Sequence, residues 1–231
     1  GIVKVDELAA MITEQTVLVA VMYANNEIGT IEPLNEIAKV IRKWKKDVRG
    51  TVRSKKSEGD DLYPLFYTDA SQAPNYLDCA PASLGVDMMT ISGGKMYGPK
   101  GAGLLYVARG VALSPIVFGG GQEKGLRAGT ENVSSIIGMK EALSMSVQIR
   151  VDEVKRLSEI QKATMALLLE TFPNILLNGS LVDRLPNNIH FSFPDVDHAY
   201  LALALDARGF AVATKSACSE TEAEISHVLL A

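Results

Sequence analysis

An α/β fold with an open sheet is predicted by three observations. Short continuous apolar runs at 16–23, 65–69, 86–91 and 102–107 have the length and boundaries of buried strands. Segments of helical period lie beside them, at 5–13 and 33–46. Two successive strands end in residues that can do chemistry, one in Asp69 and the next in Ser92-Gly93-Gly94-Lys95. In an open α/β sheet the carboxyl ends of the strands form the crevice that takes ligands.

Bulk properties narrow the class. A length of 231 residues allows one large domain or two modest ones. The chain is 47% hydrophobic and 22% charged, a globular balance, and its net charge of −4 argues against a nucleic-acid footprint. No apolar run approaches the roughly 18–20 residues of a membrane-spanning helix, so a soluble protein without membrane contact is expected. Cys79 and Cys218 make no disulfide framework, which fits a reducing compartment: the cytoplasm, or an organelle matrix in a eukaryote. No signal peptide is visible, Gly1 is not an initiator methionine, and no metal ligands are assigned.

In chain order, Leu8, Met11 and Ile12 give 5–13 its helical spacing, and the strand at 16–23 runs into Ala24-Asn25-Asn26-Glu27-Ile28-Gly29-Thr30. Asparagines there suit turn chemistry, since they tolerate the left-handed region and bond their own backbone. Pro33 opens a helix to about 46 with Ile37, Val40, Ile41 and Trp44 on one face. Nine lysines and arginines follow closely (Lys39, Arg42, Lys43, Lys45, Lys46, Arg49, Arg53, Lys55, Lys56), and the polar stretch at 50–61 is expected to be a solvated surface loop. Cys79, among apolar neighbours, is expected to be a buried structural thiol. Residues 117–130 are glycine-rich; Thr130 suits either a phosphate contact or the cap of the helix that follows.

Residues 133 to about 171 are predicted as one or two amphipathic helices with Ile136, Ile137, Met139, Leu143, Val147, Val154, Leu157 and Ile160 in the core. A domain boundary is placed near 150, dividing a larger domain at 1–150 from a smaller one at 151–231. Strands are expected at 175–179 and 188–193, where His190 is an ordinary strand residue. A helix is expected at 197–207, closed by Gly209, and a short strand at 211–214. Cys218 lies in the small polar run Lys215-Ser216-Ala217-Cys218-Ser219, where an incidental and a reactive thiol are both open readings.

Lys95 and Asp69 carry the chemistry. A lysine between a strand end and the turn Gly98-Pro99 can be partly desolvated, which lowers its pKa and makes it a nucleophile for a carbonyl; the plainer reading is a solvated loop lysine. Asp69 could equally form an Asx turn or cap a helix. Taken together, a Schiff-base lysine and an aspartate facing a pyridinium nitrogen are what a pyridoxal phosphate (PLP) site requires.

Ser-Gly-Gly-Lys-Met-Tyr-Gly-Pro-Lys-Gly at 92–101 resembles the PLP-lysine motif of the NifS/IscS-type cysteine desulfurases, a family that includes selenocysteine lyases. Asp69-Ala70-Ser71-Gln72-Ala73 resembles its pyridine-binding segment. Asn25-Asn26-Glu27-Ile28-Gly29, the glycine-rich stretch ending in Arg127-Ala128-Gly129-Thr130-Glu131-Asn132, and Ser216-Ala217-Cys218-Ser219 resemble three further signatures. The five motifs stand in the family's order over nearly the whole chain.

The resemblance implies the aspartate-aminotransferase-like fold (PLP fold type I), a large cofactor domain built on a mixed, mostly parallel sheet with a small α/β C-terminal domain, and conversion of L-cysteine to alanine with sulfur left as a persulfide. It implies that Lys95 holds PLP and that Asp69 pairs with its pyridinium nitrogen. Gln72 and Asn25 bond its ring oxygen, Ser92 and Thr130 its phosphate. Cys218 is then the sulfur-accepting nucleophile, on the longer, mobile type of loop. A homodimer, with Thr130 reaching the partner's site, and sulfur-acceptor or scaffold proteins for iron–sulfur assembly are the implied partners. The position before the lysine is usually a phosphate-binding histidine; here it is Gly94. The stretch at 50–61 is longer than usual. The family's upstream phosphate loop and ring-stacking histidine, and its downstream carboxylate-binding arginine, have no counterpart among these residues. The resemblance therefore implies the interior of a longer protein. Selenocysteine lysis and a catalytically silent scaffold are the alternatives.

Overall fold

The computed structural model describes residues 1–51, 63–194, 196–214 and 226–230, without the side chains of 48–51. They form two compact units: Val3–Tyr23 with Pro33–Arg150, and Gly1–Ile2 with Ala24–Glu32 and Val151–Ala231.

The first unit is built on a four-stranded sheet of order β1-β2-β3-β4. Strands β1 (Leu18–Ala20), β2 (Leu65–Asp69) and β3 (Met88–Ser92) are parallel, and β4 (Gly103–Val107) returns antiparallel to β3. The mixed, mostly parallel sheet predicted from sequence is present. Burial alternates along β2 and β3, so Phe66, Thr68, Met89 and Ile91 share the core while their neighbours stand half-exposed. Helix α1 (Val5–Met11) and helix α2 (Leu34–Thr51) pack against each other. Pro33 precedes α2, and Ile37 and Ile41, one turn apart, are buried with Val40 and Trp44 beside them. Short α3 (Pro81–Leu84) begins on a proline and ends at Gly85 in the left-handed conformation, φ 71°. It returns the chain from β2 to β3.

Helix α4 (Val133–Thr171) is one uninterrupted helix of 39 residues, passing from the first unit to the second at 150. Its first half corrects the expected core. Met139 is buried and Leu143 partly so, but Ile136, Ile137 and Val147 are about half exposed, as is Ile160 further on. The packing face runs instead through Gly138, Met139, Ala142 and Ser146. Apart from Met139 these side chains are small, as the close approach of the loop after β3 requires, and small residues carry little of the apolar period from which the prediction was made.

In the second unit β5 (Leu176–Leu177) and β6 (Phe191–Ser192) pair antiparallel. Phe172 and Phe193 meet edge to face at 6.0 Å. Helix α5 (His198–Asp206) is capped by Asp197, whose Oδ1 accepts from Tyr200 N, and Gly209 follows it at φ 83°. The strand expected at 211–214 is absent: these residues are irregular and exposed, and a strand needs a ladder partner as well as alternating residues. The second unit ends in α6 (His227–Leu230). Among the described residues no helix is long and apolar enough to cross a membrane.

Thr68 marks a weak point in the core. It is fully buried, and its Oγ1 has no partner among the described residues. A buried hydroxyl left unbonded costs about 1–3 kcal/mol. Thr68→Val should therefore stabilise the protein by about 1 kcal/mol, read as a higher urea midpoint at unchanged slope; a lower midpoint would mean the hydroxyl is bonded.

Candidate active site

Strand β3 delivers the chain to the lysine loop. Its last residue, half-buried Ser92, pairs with Gly103 of β4. A single 3-10 turn follows, Gly93–Lys95, and Met96 N and Gly98 N both donate to Gly93 O at 3.1 and 2.9 Å. Gly93 N donates to Ala102 O at 2.8 Å, so the loop is closed at its base. Fully buried Met96 pins it to the core. Between these anchors Tyr97 is held at φ 61° with its side chain 90% exposed. A left-handed conformation at a bulky residue costs on the order of 1–3 kcal/mol and persists only where its surroundings enforce it.

The loop leans on α4 through atoms with no room to spare. A Cβ on Gly98 would lie 2.9 Å from Gly93 O and 3.2 Å from Ala142 Cβ; one on Gly138 would lie 2.7 Å from Pro99 Cγ. Asn75 adds a polar tie. It is 9% exposed; its Nδ2 donates to Lys95 O at 3.2 Å and its Oδ1 accepts from Ser146 Oγ at 2.8 Å. Sequence reading missed Asn75. Its only signal was a polar residue three positions after Gln72, in a segment where turn asparagines are ordinary. Lys95 itself is exposed. This agrees with the plainer reading of a solvated loop lysine; Gly93 and Gly94 carry no side chains to cover it.

Asp69 closes β2. Tyr23 N donates to Asp69 O at 2.8 Å on one side, and Asp69 lies opposite Thr90 of β3 on the other. Its Oδ1 accepts from Ser71 N at 2.8 Å, an Asx turn, and the side chain remains exposed. Gln72 follows within that turn, half-buried. The structure thus brings Asp69, Gln72, Ser92 and Lys95 to the carboxyl ends of the adjacent strands β2 and β3.

The remaining candidates lie elsewhere. Asn25 belongs to the second unit, is buried, and accepts through Oδ1 from Glu27 N at 2.8 Å and Ile28 N at 3.0 Å. Thr130 is exposed before α4. It does not cap that helix: Asn132 Oδ1 accepts from Ser135 N at 3.2 Å, leaving the Thr130 hydroxyl outside the cap. In the glycine-rich stretch Glu123 and Lys124 take φ 49° and 58°, and Gly129 N donates to Gln122 Oε1 at 3.3 Å. Cys218 lies outside the described residues, as do Arg53, Lys55 and Lys56 of the basic run.

Residues 1–51 and 61–231 match the family described as aminotransferase class-V. The chain belongs to the class-V aminotransferase family. It is 40% identical over 231 residues to the cysteine desulfurase IscS of Dictyoglomus turgidum, covering all of this chain and 54% of that protein. A solved NifS-like protein superimposes with a TM-score of 0.81 at 31% identity, over 93% of this chain and 54% of the other. A protein named SspA, solved in complex with cysteine, superimposes at 0.72 with 26% identity, over 99% and 58%. The chain spans about half the length of the curated relatives it matches. The fold is that of these NifS-like enzymes.

Class-V aminotransferases work with PLP, and the donors in this chain fit that group. Lys95 offers an exposed amine, Asp69 an exposed carboxylate one strand away, and Ser92 and Thr130 offer hydroxyls. Beside Lys95 the backbone is uncrowded: among the described residues a Cβ on Gly94 would meet only Lys100, at 3.7 and 3.8 Å.

This class-V chain also holds a cluster behind the Asp69 turn that titrates far from ordinary values. Burial, with Cys79 and Asp78 adding to it against Arg150, pushes the Tyr23 hydroxyl up from 10.0 to about 12. Burial, opposed by Arg150 and helped by Asp78, pushes the Cys79 thiol up from 9.0 to about 12. Cys79 Sγ donates to Leu77 O at 3.6 Å, and Arg150 Nη1 donates to the same carbonyl at 2.7 Å. Where the sequence predicts a buried structural thiol at Cys79, the structure leaves it only partly buried. Both groups bind their protons more tightly when folded. Their stabilisation is therefore complete below pH 9 and is lost as pH rises through about 12. Denaturation midpoints should fall between pH 9 and 12, and Cys79→Ala should flatten that fall. An unchanged slope in the variant would remove Cys79 from the cause.

Proposed function

We propose that this chain is part of a PLP-dependent cysteine desulfurase that converts L-cysteine to L-alanine and passes the sulfur on as a persulfide. The observation that carries this reading is the placement of Lys95 and Asp69 at the carboxyl ends of adjacent parallel strands, in a chain whose relatives include cysteine desulfurase IscS. Residues 1–150 are assigned to the large cofactor domain and 151–231 to the small domain, with 1–2 and 24–32 clustering with the latter.

PLP, when bound, supplies an electron sink for the α-carbon of the amino acid it holds. The protein's part is binding, orientation and proton movement. Lys95 Nζ would hold the cofactor and, when free of it, would carry protons at that atom. The Asp69 carboxylate keeps the pyridine nitrogen protonated, Gln72 and Asn25 bond the ring oxygen, and Ser92 and Thr130 bond the phosphate. The Cys218 thiolate attacks the substrate sulfur. An S–S bond forms, the carbon–sulfur bond breaks, and its electron pair goes to the carbon, which takes up a proton. The products are alanine and a persulfide on Cys218. The protein works as a homodimer in the cytoplasm and delivers sulfur to acceptor proteins, iron–sulfur scaffolds among them.

Borohydride reduction of the PLP-loaded full-length protein should leave a pyridoxyl group on the peptide carrying Lys95. Lys95→Ala should lose it and Cys218→Ser should keep it while forming no persulfide. Adduct retained in Lys95→Ala would refute the assignment.

Gly94 stands where the family's histidine binds phosphate, and a hydrogen bond to a charged group is worth about 1.5–3 kcal/mol. Gly94 has φ outside the left-handed region, and a Cβ there would meet Lys100 at ordinary contact distance, so a side chain can start from it without strain. Gly94→His should tighten PLP binding by about tenfold or more in an absorbance titration. An unchanged or weaker affinity would place the phosphate elsewhere.

A further inference from the structure

PLP carries its aldehyde carbon and its pyridine nitrogen at opposite ends of one rigid ring, so a site for it must keep its lysine and its carboxylate at a set separation. Asp69 meets that demand through the sheet, since it ends β2 and pairs with Thr90 of β3. Lys95 stands five positions beyond Thr90, in the turn Gly93–Lys95, past the last pair of the ladder at Ser92 and Gly103. The ladder alone leaves the place of the lysine relative to Asp69 open.

The chain after Asp69 closes that gap. Ser71 N donates to Asp69 Oδ1 at 2.8 Å, Ala73 N to Ala70 O at 2.9 Å, and Tyr76 N and Leu77 N both to Ala73 O, at 2.9 and 2.8 Å. Ala70, Ala73 and Pro74 are fully buried, so the segment has no freedom to swing. Asn75 is thereby fixed to Asp69 through a few short bonds, and its side chain spans to the lysine turn, where Nδ2 donates to Lys95 O at 3.2 Å. Helix α4 holds the same segment at two points four residues apart, on one helix face: Ser146 Oγ donates to Asn75 Oδ1 at 2.8 Å and Arg150 Nη1 to Leu77 O at 2.7 Å. The amide can stand only one way round, because a backbone carbonyl accepts and never donates, which turns Nδ2 to Lys95 and Oδ1 to Ser146.

We propose that Asn75 is a positioning residue: bonded to Lys95 O, it sets the lysine turn against the segment that begins at Asp69 and against α4. The proposal rests on the PLP reading of Lys95 and Asp69. A lysine side chain is a flexible stem, and that of Lys95 is exposed. What the fold can fix is the backbone from which the stem starts, and Asn75 bonds that backbone at the lysine itself. Asn75 is assigned no contact with substrate and no proton to move; it acts through the peptide group that joins Lys95 to Met96.

The test uses the full-length protein, PLP-loaded and cofactor-free. PLP is achiral, so its visible circular dichroism reports how firmly the protein holds the ring in one orientation. Asn75→Ala removes both side-chain bonds; visible ellipticity per bound PLP should fall at least about twofold and PLP should leave about tenfold faster, as the loss of one or two hydrogen bonds implies. In the cofactor-free protein, amide exchange at Met96 and Gly98 should quicken several-fold while the amides of β2 keep their rates, a pattern that a general loss of stability does not produce. Ser146→Ala, which removes only the α4 partner of Asn75, should move the same readouts in the same direction. Added to Asn75→Ala it should change nothing further. Ser146→Ala alone decides the matter where Asn75→Ala does not fold. Unchanged ellipticity or exchange in either variant, exchange quickened equally in β2, or additive losses would overturn the proposal while the wild type still yields a pyridoxyl adduct on Lys95 after borohydride. A wild type with no such adduct overturns the PLP reading and this proposal with it.

Discussion

The close approach of the lysine loop to α4 is the contact on which the rest of the candidate site depends. Gly98 and Gly138 are small because the backbone of one element lies within van der Waals reach of the other, with contacts near or below 3 Å for any added Cβ. Such an interface gains little from apolar area and much from shape. It lets one helix determine where the chain turns after β3, and so where Lys95 stands. Asn75 completes the arrangement by bonding Lys95 O and Ser146 at once. Because Asn75 is buried, removing either partner would strand a polar group.

Tyr97 shows the cost of that arrangement. Its left-handed conformation comes two residues after Lys95, between a fully buried methionine and a glycine bonded back to Gly93. The loop must reverse within a few residues to start β4 antiparallel to β3. A smaller or glycine residue there would relax the backbone. The strain shows that the packing of Met96 and Gly98 outweighs the local preference of one residue. The same tight turn explains why Lys95 is exposed, since a reversal made largely of glycine has no side chains with which to cover an amine.

Legibility in the sequence followed the kind of packing involved. Strands β2 and β3 were legible because buried strands leave continuous apolar runs that end at turn residues, and Asp69 and Lys95 stood at those ends. The face of α4 was not, because its contact residues are Gly138, Ala142 and Ser146, while the residues that form an apolar pattern, Ile136, Ile137 and Val147, face outward. Asn75 was illegible for a related reason: its role depends on a serine 71 positions away. Thr130 offered two readings, a cap or a phosphate donor, and only the structure shows that the cap falls to Asn132. The 211–214 run imitated a strand through alternation alone.

The Asn132 cap bears on whether the site can hold a phosphate without the histidine that Gly94 replaces. A helix start satisfies its first amides with one side-chain acceptor, and here that acceptor is already supplied. Thr130 is thereby free of a structural duty, exposed, and preceded by Gly129, which gives the backbone latitude to present it. Ser92 is half-buried at the end of a paired strand, so its position is fixed by the ladder. Two hydroxyls of complementary character, one rigid and one on an adaptable stretch, can replace part of what a single imidazole contributes. A hydrogen bond to a charged group such as a phosphate contributes about 1.5–3 kcal/mol. In the proposed site two such bonds remain where the family's histidine is missing, so the departure at Gly94 would lower cofactor affinity rather than remove the site.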